Sequence, residues 1–160
     1  MFREYTSSDA KAIAHHYNLN FDRDDNIWCA DGSPTNSSKI KLHAKSLSIR
    51  GIRLTQVHDE DGVFLSYFGG YLKGNGAVFK IAVVNLEVPD PQTLFRKDGA
   101  HALLQALQQG VEHVILSGSS DRAFYATWAE QEVGMNRDTS RSLWVADKDT
   151  VNQYISTTFH

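Results

Sequence analysis

The centre of the chain constrains the fold most, because it holds three successive runs of strand-forming residues. In the run at 52–57, Ile52, Leu54 and Gln56 alternate with Arg53, Thr55 and Val57. The run at 63–72 is rich in aromatic residues, and the run at 78–88 is the most apolar of the chain. The sequences DEDG at 59–62 and KGNG at 73–76 separate the runs, and both are turn signals. Three strands joined by tight turns predict an antiparallel meander.

Helical patterns precede the meander. Thr6 or Ser8 can cap a helix whose apolar residues then recur at helical spacing: Ala10, Ile13, Ala14 and Tyr17. The segment 39–51 fits a short helix, and its apolar spacing also fits an extended strand. Between them, residues 21–38 are polar and rich in turn formers, which predicts irregular structure.

Helices and strands alternate after the meander. The sequence predicts a helix from about Gly99 to Gln109, a strand over 111–118, and a helix from about Ser120 to Glu132. A final strand is predicted within 140–147, and the tail adds a short helix or strand. This order predicts an α/β fold of mixed α+β character: a central mixed, mainly antiparallel sheet with helices on both faces. We expect one domain over residues 1–160.

Composition excludes several classes of protein. The net charge of −3 is spread along the chain with no basic stripe, so we expect no nucleic-acid partner. No apolar run is long enough for a membrane span, and the first residues lack a signal segment, which favours a cytoplasmic protein. Cys29 is the single cysteine, so an internal disulfide is excluded.

A basic turn precedes the helix predicted near Gly99. Residues 95–107 read FRKDGAHALLQAL, which sets two cations and a glycine before a run of helix formers. A helix N-terminus offers unpaired N–H groups and partial positive charge, both of which suit phosphate. Gly99 would let the backbone approach a ligand closely.

Residues 78–135 contain, in order, a strand, the basic turn, an Ala/Leu-rich helix, a second strand and a second helix that closes with Gly-Met. This order resembles that of the GCN5-related N-acetyltransferases (GNAT), and the resemblance implies an acyl-CoA N-acyltransferase-like fold. The resemblance implies that acetyl-coenzyme A is the cosubstrate, with its pyrophosphate held by four residues: Arg96, Lys97, Gly99 and Ala100. It implies that backbone amides around Leu86 and Val88 pair with the pantetheine arm and polarise the thioester carbonyl.

The same resemblance implies the catalytic residues. Glu87 corresponds to a general base that deprotonates an amine, which then attacks the acetyl carbon directly, and Tyr125 protonates the departing thiolate. We expect the acceptor to be an amine-bearing small molecule or protein, in a pocket lined by three aromatic residues: Tyr67, Phe68 and Tyr71. No metal is required, and a homodimer is left open.

Each candidate residue also has a structural interpretation. Arg96 and Lys97 can be an ordinary polar helix entrance. Glu87 can be an outward residue at a strand end, and Tyr125 a packed aromatic. His58, before the acidic turn, is an alternative base.

Two other functions stay open. The first is a non-catalytic interaction protein, of inhibitor or immunity type or with a degenerate acetyltransferase fold. His101 stands where the family prefers Gly or Ala, and Asp98 adds a negative charge beside the predicted phosphate site. Both differences are compatible with a protein that has lost its cofactor site. The second is a cysteine hydrolase that combines Cys29 with His43 or His101.

Metal patterns are weak. His15 and His16 are adjacent on a helix and point to different faces, so they make a poor pair of metal ligands. Asp22, Asp24 and Asn26 imitate the start of a calcium loop, but Ile27 occupies the glycine position, which argues against calcium.

Overall fold

The computed structural model describes residues 1–21, 34–118 and 123–159. Within these ranges the strands are β1 (Phe2–Arg3), β2 (Ile52–Glu60), β3 (Val63–Lys73), β4 (Gly76–Val84), β5 (His113–Ser117), β6 (Asn136–Asp138) and β7 (Leu143–Asp147). The helices are α1 (Ala10–Phe21), α2 (Ser37–Arg50), α3 (Pro91–Gln108), α4 (Ala123–Thr127), which continues as a π-helical turn (Trp128–Val133), and α5 (Lys148–Thr158).

The described strands form one sheet in the spatial order β1-β2-β3-β4-β5-β7-β6. β2, β3 and β4 pair antiparallel, which confirms the predicted meander, and β4 pairs parallel with β5. The first hairpin turns through Asp61 and Gly62, which both have positive φ, as a type I′ turn requires. The predicted mixed sheet is therefore confirmed.

Two apolar cores cover the two faces of the sheet. On one face α1 and α2 pack over β2, β3 and β4, with Ile13 and Val57 fully buried. On the other face α3, the π-helical turn and α5 enclose a larger core around Phe95, Trp128 and Trp144. Among the described helices, none combines the length and the apolar character that crossing a bilayer demands.

A β-bulge interrupts the pairing of β3 with β4. Gly69 pairs with Ile81 whereas Gly70 pairs with Phe79, so Lys80 is an extra residue on β4. A Cβ on Gly70 would overlap the Val78 carbonyl oxygen and lie 2.9 Å from Phe79 Cα, so only glycine allows this close approach. The paired glycines of β3 thus lie opposite the bulge and allow the close approach of the two strands.

Two predicted boundaries are wrong. β4 ends at Val84, not Val88, and α3 begins at Pro91, not near Gly99. Asp90 caps α3 by accepting the Thr93 N–H, and Pro91 suits the first helical position because its missing N–H would have no partner there. The Asp90-Pro91 pair is the local sequence signal for the start of α3, whereas Gly99 is not.

The structure decides between helix and strand for residues 37–50 and for the tail. Residues 37–50 are helical, with the Asn36 side chain accepting the Lys39 N–H, so the extended alternative is wrong there. The tail forms a helix, α5. The helix predicted from Ser120 is described from Ala123 onward, because 119–122 lie outside the described residues.

β1 and β6 have no clear sequence signal because they are only two and three residues long. Long-range contacts hold β1 in place. Arg3 forms ion pairs with Asp9 at 2.6 Å and with Asp59 at 2.8 Å, and so ties the N-terminus to β2. Burial acts to raise the pKa of Asp9, but the hydrogen bonds from Arg3 and Thr6 and the positive charge of Arg3 together outweigh it, so the pKa is lowered.

The bulge generates a test of stability. We expect Gly70→Ala to lower the free energy of unfolding by about 2–3 kcal/mol, because the added methyl meets backbone that cannot move alone. Gly76→Ala is the matched control, since its methyl would meet only the His113 ring, which can rotate away. Urea unfolding of both variants makes the comparison, and equal losses would contradict the bulge constraint.

Candidate functional site

The pairing between β4 and β5 stops partway along β4, and we call the edge of β4 beyond that point, residues 80–84, the opening. Their parallel ladder pairs Gly76–Phe79 with His113–Leu116 and stops there, whereas β4 continues to Val84. The ladder ends next to the bulged residue, Lys80, which increases the local bend and twist of β4. Lys80 Nζ lies 3.0 Å from Ser117 Oγ and bridges the two strands where they separate.

A narrow apolar cavity lies under this opening, with a volume of about 10 Å³, close to that of one water. Strand residues, α3 and the aromatic cluster enclose it: Phe68, Phe79, Ile81, Ala82, Phe95, Gly99, Ala102, Leu103, Leu116, Tyr125 and Trp128. Tyr125 is 3% exposed and packs edge-to-face on Trp144, with ring centroids 5.2 Å apart. Tyr125 therefore lines this cavity from within the aromatic core.

The turn after β4 carries three predicted site residues. The Asn85 side chain shapes this turn, since it donates to the Phe64 carbonyl at 2.9 Å and accepts the Glu87 N–H at 2.8 Å. Leu86 and Val88 are half-buried in the turn and are not strand residues, so their amides do not form a strand edge. The Glu87 N–H is already engaged by Asn85, which argues against a role in polarising a carbonyl.

The Glu87 carboxylate faces solvent beside α1. Its side chain is 69% exposed, and Oε1 lies 3.9 Å from His15 Nε2. An exposed carboxylate near a histidine can exchange protons with water or with an amine. Glu87 thus lies just past the end of β4, close to the opening, but in a turn rather than in a strand.

The N-terminus of α3 is already capped by an anion. The Asp90 carboxylate accepts the Thr93 N–H at 3.1 Å and the Thr93 hydroxyl at 2.7 Å, and these bonds lower the pKa of Asp90. Pro91 has no N–H, and the Leu94 N–H is bonded to the Asp90 carbonyl. A phosphate at this helix end would have to compete with Asp90 for the same donors.

The residues predicted to form the phosphate cradle lie in later turns of α3. Arg96 forms a two-bond ion pair with Glu132, at 2.7 and 3.3 Å, and only Lys97 is exposed. Gly99 and Ala100 are buried, and a Cβ on Gly99 would lie 3.1 Å from the Trp128 ring. The premise that these four residues surround a helix N-terminus is wrong, because Asp90 and Pro91 start the helix two turns earlier.

Asp98 does not face a phosphate site. It is 2% exposed and accepts the Ser66 hydroxyl at 2.6 Å, while His58 Nδ1 lies 2.8 Å from the same carboxylate oxygen. His58 is therefore held between Asp98 and Glu60 and is not free to act as the alternative base. His101 also faces β2, where its Nδ1 lies 2.6 Å from Gln56 Oε1.

The predicted acceptor pocket is wrong as a single pocket. Tyr67 and Phe68 are consecutive strand residues, so they point to opposite faces of the sheet and belong to different cores. Tyr67 is 1% exposed, and burial raises the pKa of its hydroxyl. Tyr71 lies near the end of α2, beside Gly51, away from Phe68.

Other sequence hypotheses fall partly outside the described residues. Cys29, and the calcium-loop imitation formed by Asp22, Asp24 and Asn26, lie in 22–33. Of the two histidines proposed as partners of Cys29, His101 stacks on Phe2 with ring centroids 3.7 Å apart. That stacking and the bond to Gln56 give His101 a structural role.

Comparisons with known proteins show the fold. No protein-family model and no curated protein sequence matches the chain. An uncharacterized protein from Bacillus halodurans matches with a TM-score of 0.67 at 12% identity, over 98% of this chain and 88% of that one. The ribosomal-protein-S18-alanine N-acetyltransferase from Escherichia coli matches with a TM-score of 0.65 at 12% identity, over 92% of both chains.

A GNAT family acetyltransferase from Brucella melitensis, in complex with acetyl-CoA, matches with a TM-score of 0.56 at 14% identity, over 92% of this chain and 87% of that one. At these identities the likeness concerns the fold alone. This chain has the fold of the GNAT acetyltransferases, as the resemblance implied.

The Asp98 network predicts a large effect on stability. Asp98→Ala leaves Ser66 and His58 without their shared acceptor, and we expect a loss of about 3–5 kcal/mol in the free energy of unfolding. Asp149→Ala, at an exposed position of α5, is the control. Urea unfolding measures both, and a loss below about 1 kcal/mol for Asp98→Ala would contradict the structural role.

Proposed function

We propose that this protein is an N-acyltransferase that transfers an acetyl group from acetyl-CoA to an amine. The observation that supports this most strongly is the opening between β4 and β5, in a sheet of the GNAT fold. Tyr125 lines the cavity beside this opening, together with Ile81 and Ala82 of β4, and Glu87 lies just past the end of β4. The two groups are therefore on elements that border the same opening.

The proposed reaction is a direct transfer. The thioester enters the opening, and its pantetheine amides pair with the β4 backbone between Lys80 and Val84. Glu87 accepts a proton from the acceptor ammonium, the amine nitrogen bonds to the carbonyl carbon, and the carbon–sulfur bond breaks. As the thiolate leaves, the nitrogen loses its second proton to water, Tyr125 donates a proton to the thiolate and is reprotonated from solvent, and Glu87 releases its proton, so the products are an amide, free coenzyme A and one proton.

Phosphate binding needs residues other than the four in the middle of α3. Lys97 is exposed in the second turn of α3, and helical side chains point toward the N-terminus, so its ammonium can approach phosphates there. Asp90 opposes them with its negative charge. We therefore expect weak binding of acetyl-CoA that depends on Lys97 and is limited by Asp90.

The Asp90 cap makes this expectation testable. Asp90→Asn keeps an oxygen that can cap α3 but removes the charge, so acetyl-CoA affinity should rise about two- to fivefold. Lys97→Ala should lower the affinity by a similar factor, because it removes a favourable charge. Isothermal titration calorimetry measures both variants.

Asp147→Asn is the matched control, because Asp147 caps α5 in the same way, by accepting the Thr150 N–H. We expect it to leave acetyl-CoA affinity unchanged. If Asp90→Asn and Asp147→Asn behave alike, the phosphates do not bind at the α3 N-terminus.

The proposed base gives a kinetic prediction. Glu87→Gln should lower kcat by about 100-fold or more with a smaller change in KM, because the amide cannot accept the proton. Steady-state assays with a panel of primary amines measure it. Glu112→Gln is the control, as Glu112 is also an exposed carboxylate but lies next to β5 at the far end of the sheet. A Glu87→Gln enzyme with unchanged kcat would remove Glu87 from the mechanism.

A non-catalytic interaction protein is the second candidate. The observation that favours it is the Asp90 cap of α3, because the Asp90 carboxylate already accepts the Thr93 N–H and hydroxyl and would compete with a phosphate. Calorimetry separates the candidates. Absence of acetyl-CoA binding by both the wild type and Asp90→Asn, at millimolar ligand, would favour the interaction protein.

A further inference from the structure

We propose that His15, His16 and Glu87 form a binding site for a divalent transition-metal ion such as zinc. The site joins the middle of α1 to the turn after β4. In the described ranges it is the only group of three histidine, cysteine or acidic side chains whose ligand atoms all lie within 4.8 Å of one another.

The two histidines lie closer than their adjacency suggests. Neighbouring residues on a helix differ by about 100° in direction, which argued against a shared ion. In the structure the two rings meet edge to face with centroids 5.0 Å apart, and Glu87 approaches His15 to 3.9 Å. The carboxylate comes from a distant part of the chain, so the cluster is a product of the fold.

His16 is the fixed ligand of the cluster. It is 8% exposed, and its ring stacks on Phe64 at a centroid distance of 5.2 Å. Its Nδ1 is buried, and no hydrogen-bond partner is found for it in the described part of the chain. A buried polar atom without a partner is costly, and a metal ion bonded to Nδ1 would remove that cost.

Metal ligation requires a neutral imidazole, and the buried surroundings of His16 favour that form. Burial lowers the pKa of His16, and the neighbouring His15 lowers it further, while Glu87 opposes them.

The other two ligands can adjust to an ion. The side chains of His15 and Glu87 are 60% and 69% exposed, so both can change rotamer without disturbing the core. Zinc binds imidazole nitrogen at about 2.0–2.1 Å and carboxylate oxygen at about 2.0–2.2 Å, so the three ligand atoms must draw closer together around the ion. Only the two exposed side chains need to move.

The ligand types select the class of ion. Two imidazoles and one carboxylate suit zinc, cobalt, nickel or copper, whereas calcium and magnesium prefer oxygen ligands. Three protein ligands leave at least one position for water or another ligand. A bound ion would also occupy the Glu87 carboxylate and inhibit amine deprotonation, a consequence that rests on the proposed function, whereas the site itself does not.

Calorimetry with Zn²⁺ and visible absorption with Co²⁺ test the site directly. The protein carries no histidine tag and has Cys29→Ser, so that the thiol cannot bind the metal. We expect one ion per chain, and a loss of affinity of at least about tenfold in His15→Gln and in Glu87→Gln. His113→Gln is the control, because His113 pairs with Gly76 at the opposite end of β4.

The outcomes are separable. Loss of affinity in His15→Gln and Glu87→Gln, with His113→Gln unchanged, supports the site. His16→Gln adds to this only if its thermal unfolding matches that of the wild type. Absence of binding, or equal binding by all variants, overturns the proposal. Acetyl-CoA binding is measured separately, so failure of the metal site leaves the acyltransferase proposal intact, and the reverse also holds.

Discussion

The bulge at Lys80 is the constraint on which the rest of the site depends. It exists because Gly70 lets β3 approach Val78 and Phe79 more closely than any side chain would allow. Beyond the bulge β4 keeps its partner β3 but loses β5, so the sheet opens on one side only. The apolar cavity, Tyr125 and the turn that carries Glu87 are all arranged around this departure of one strand from its neighbour.

Two aspartates position α3 against the sheet: Asp90, which caps the helix, and Asp98, which lies within it. Asp90 fixes where α3 begins, by capping its first turn, and Asp98 fixes how α3 faces the sheet, through Ser66 and His58. A third contact ties α3 to the π-helical turn, since Arg96 pairs with Glu132. These polar contacts hold α3 close to the opening, and they engage charges that the sequence alone suggested were available for a ligand.

The sequence predicted elements better than it predicted the site. The meander followed from turn signals such as Asp61-Gly62, and the mixed sheet followed from the order of the patterns. The glycine pattern predicts the start of α3 near Gly99, whereas the Asp90 cap and Pro91 set the actual start. Contacts such as His58 with Asp98, forty residues apart in sequence, have no local signal, and neither does the approach of Glu87 to His15.

Hydrogen exchange of the β4 amides, with and without acetyl-CoA, tests the central claim most directly. If acyl-CoA lies in the opening, acetyl-CoA should slow amide exchange in 80–84 and leave exchange in β2 unchanged. Protection confined to other segments, or no protection at saturating acetyl-CoA, would contradict the claim that this opening is the acyl-CoA site.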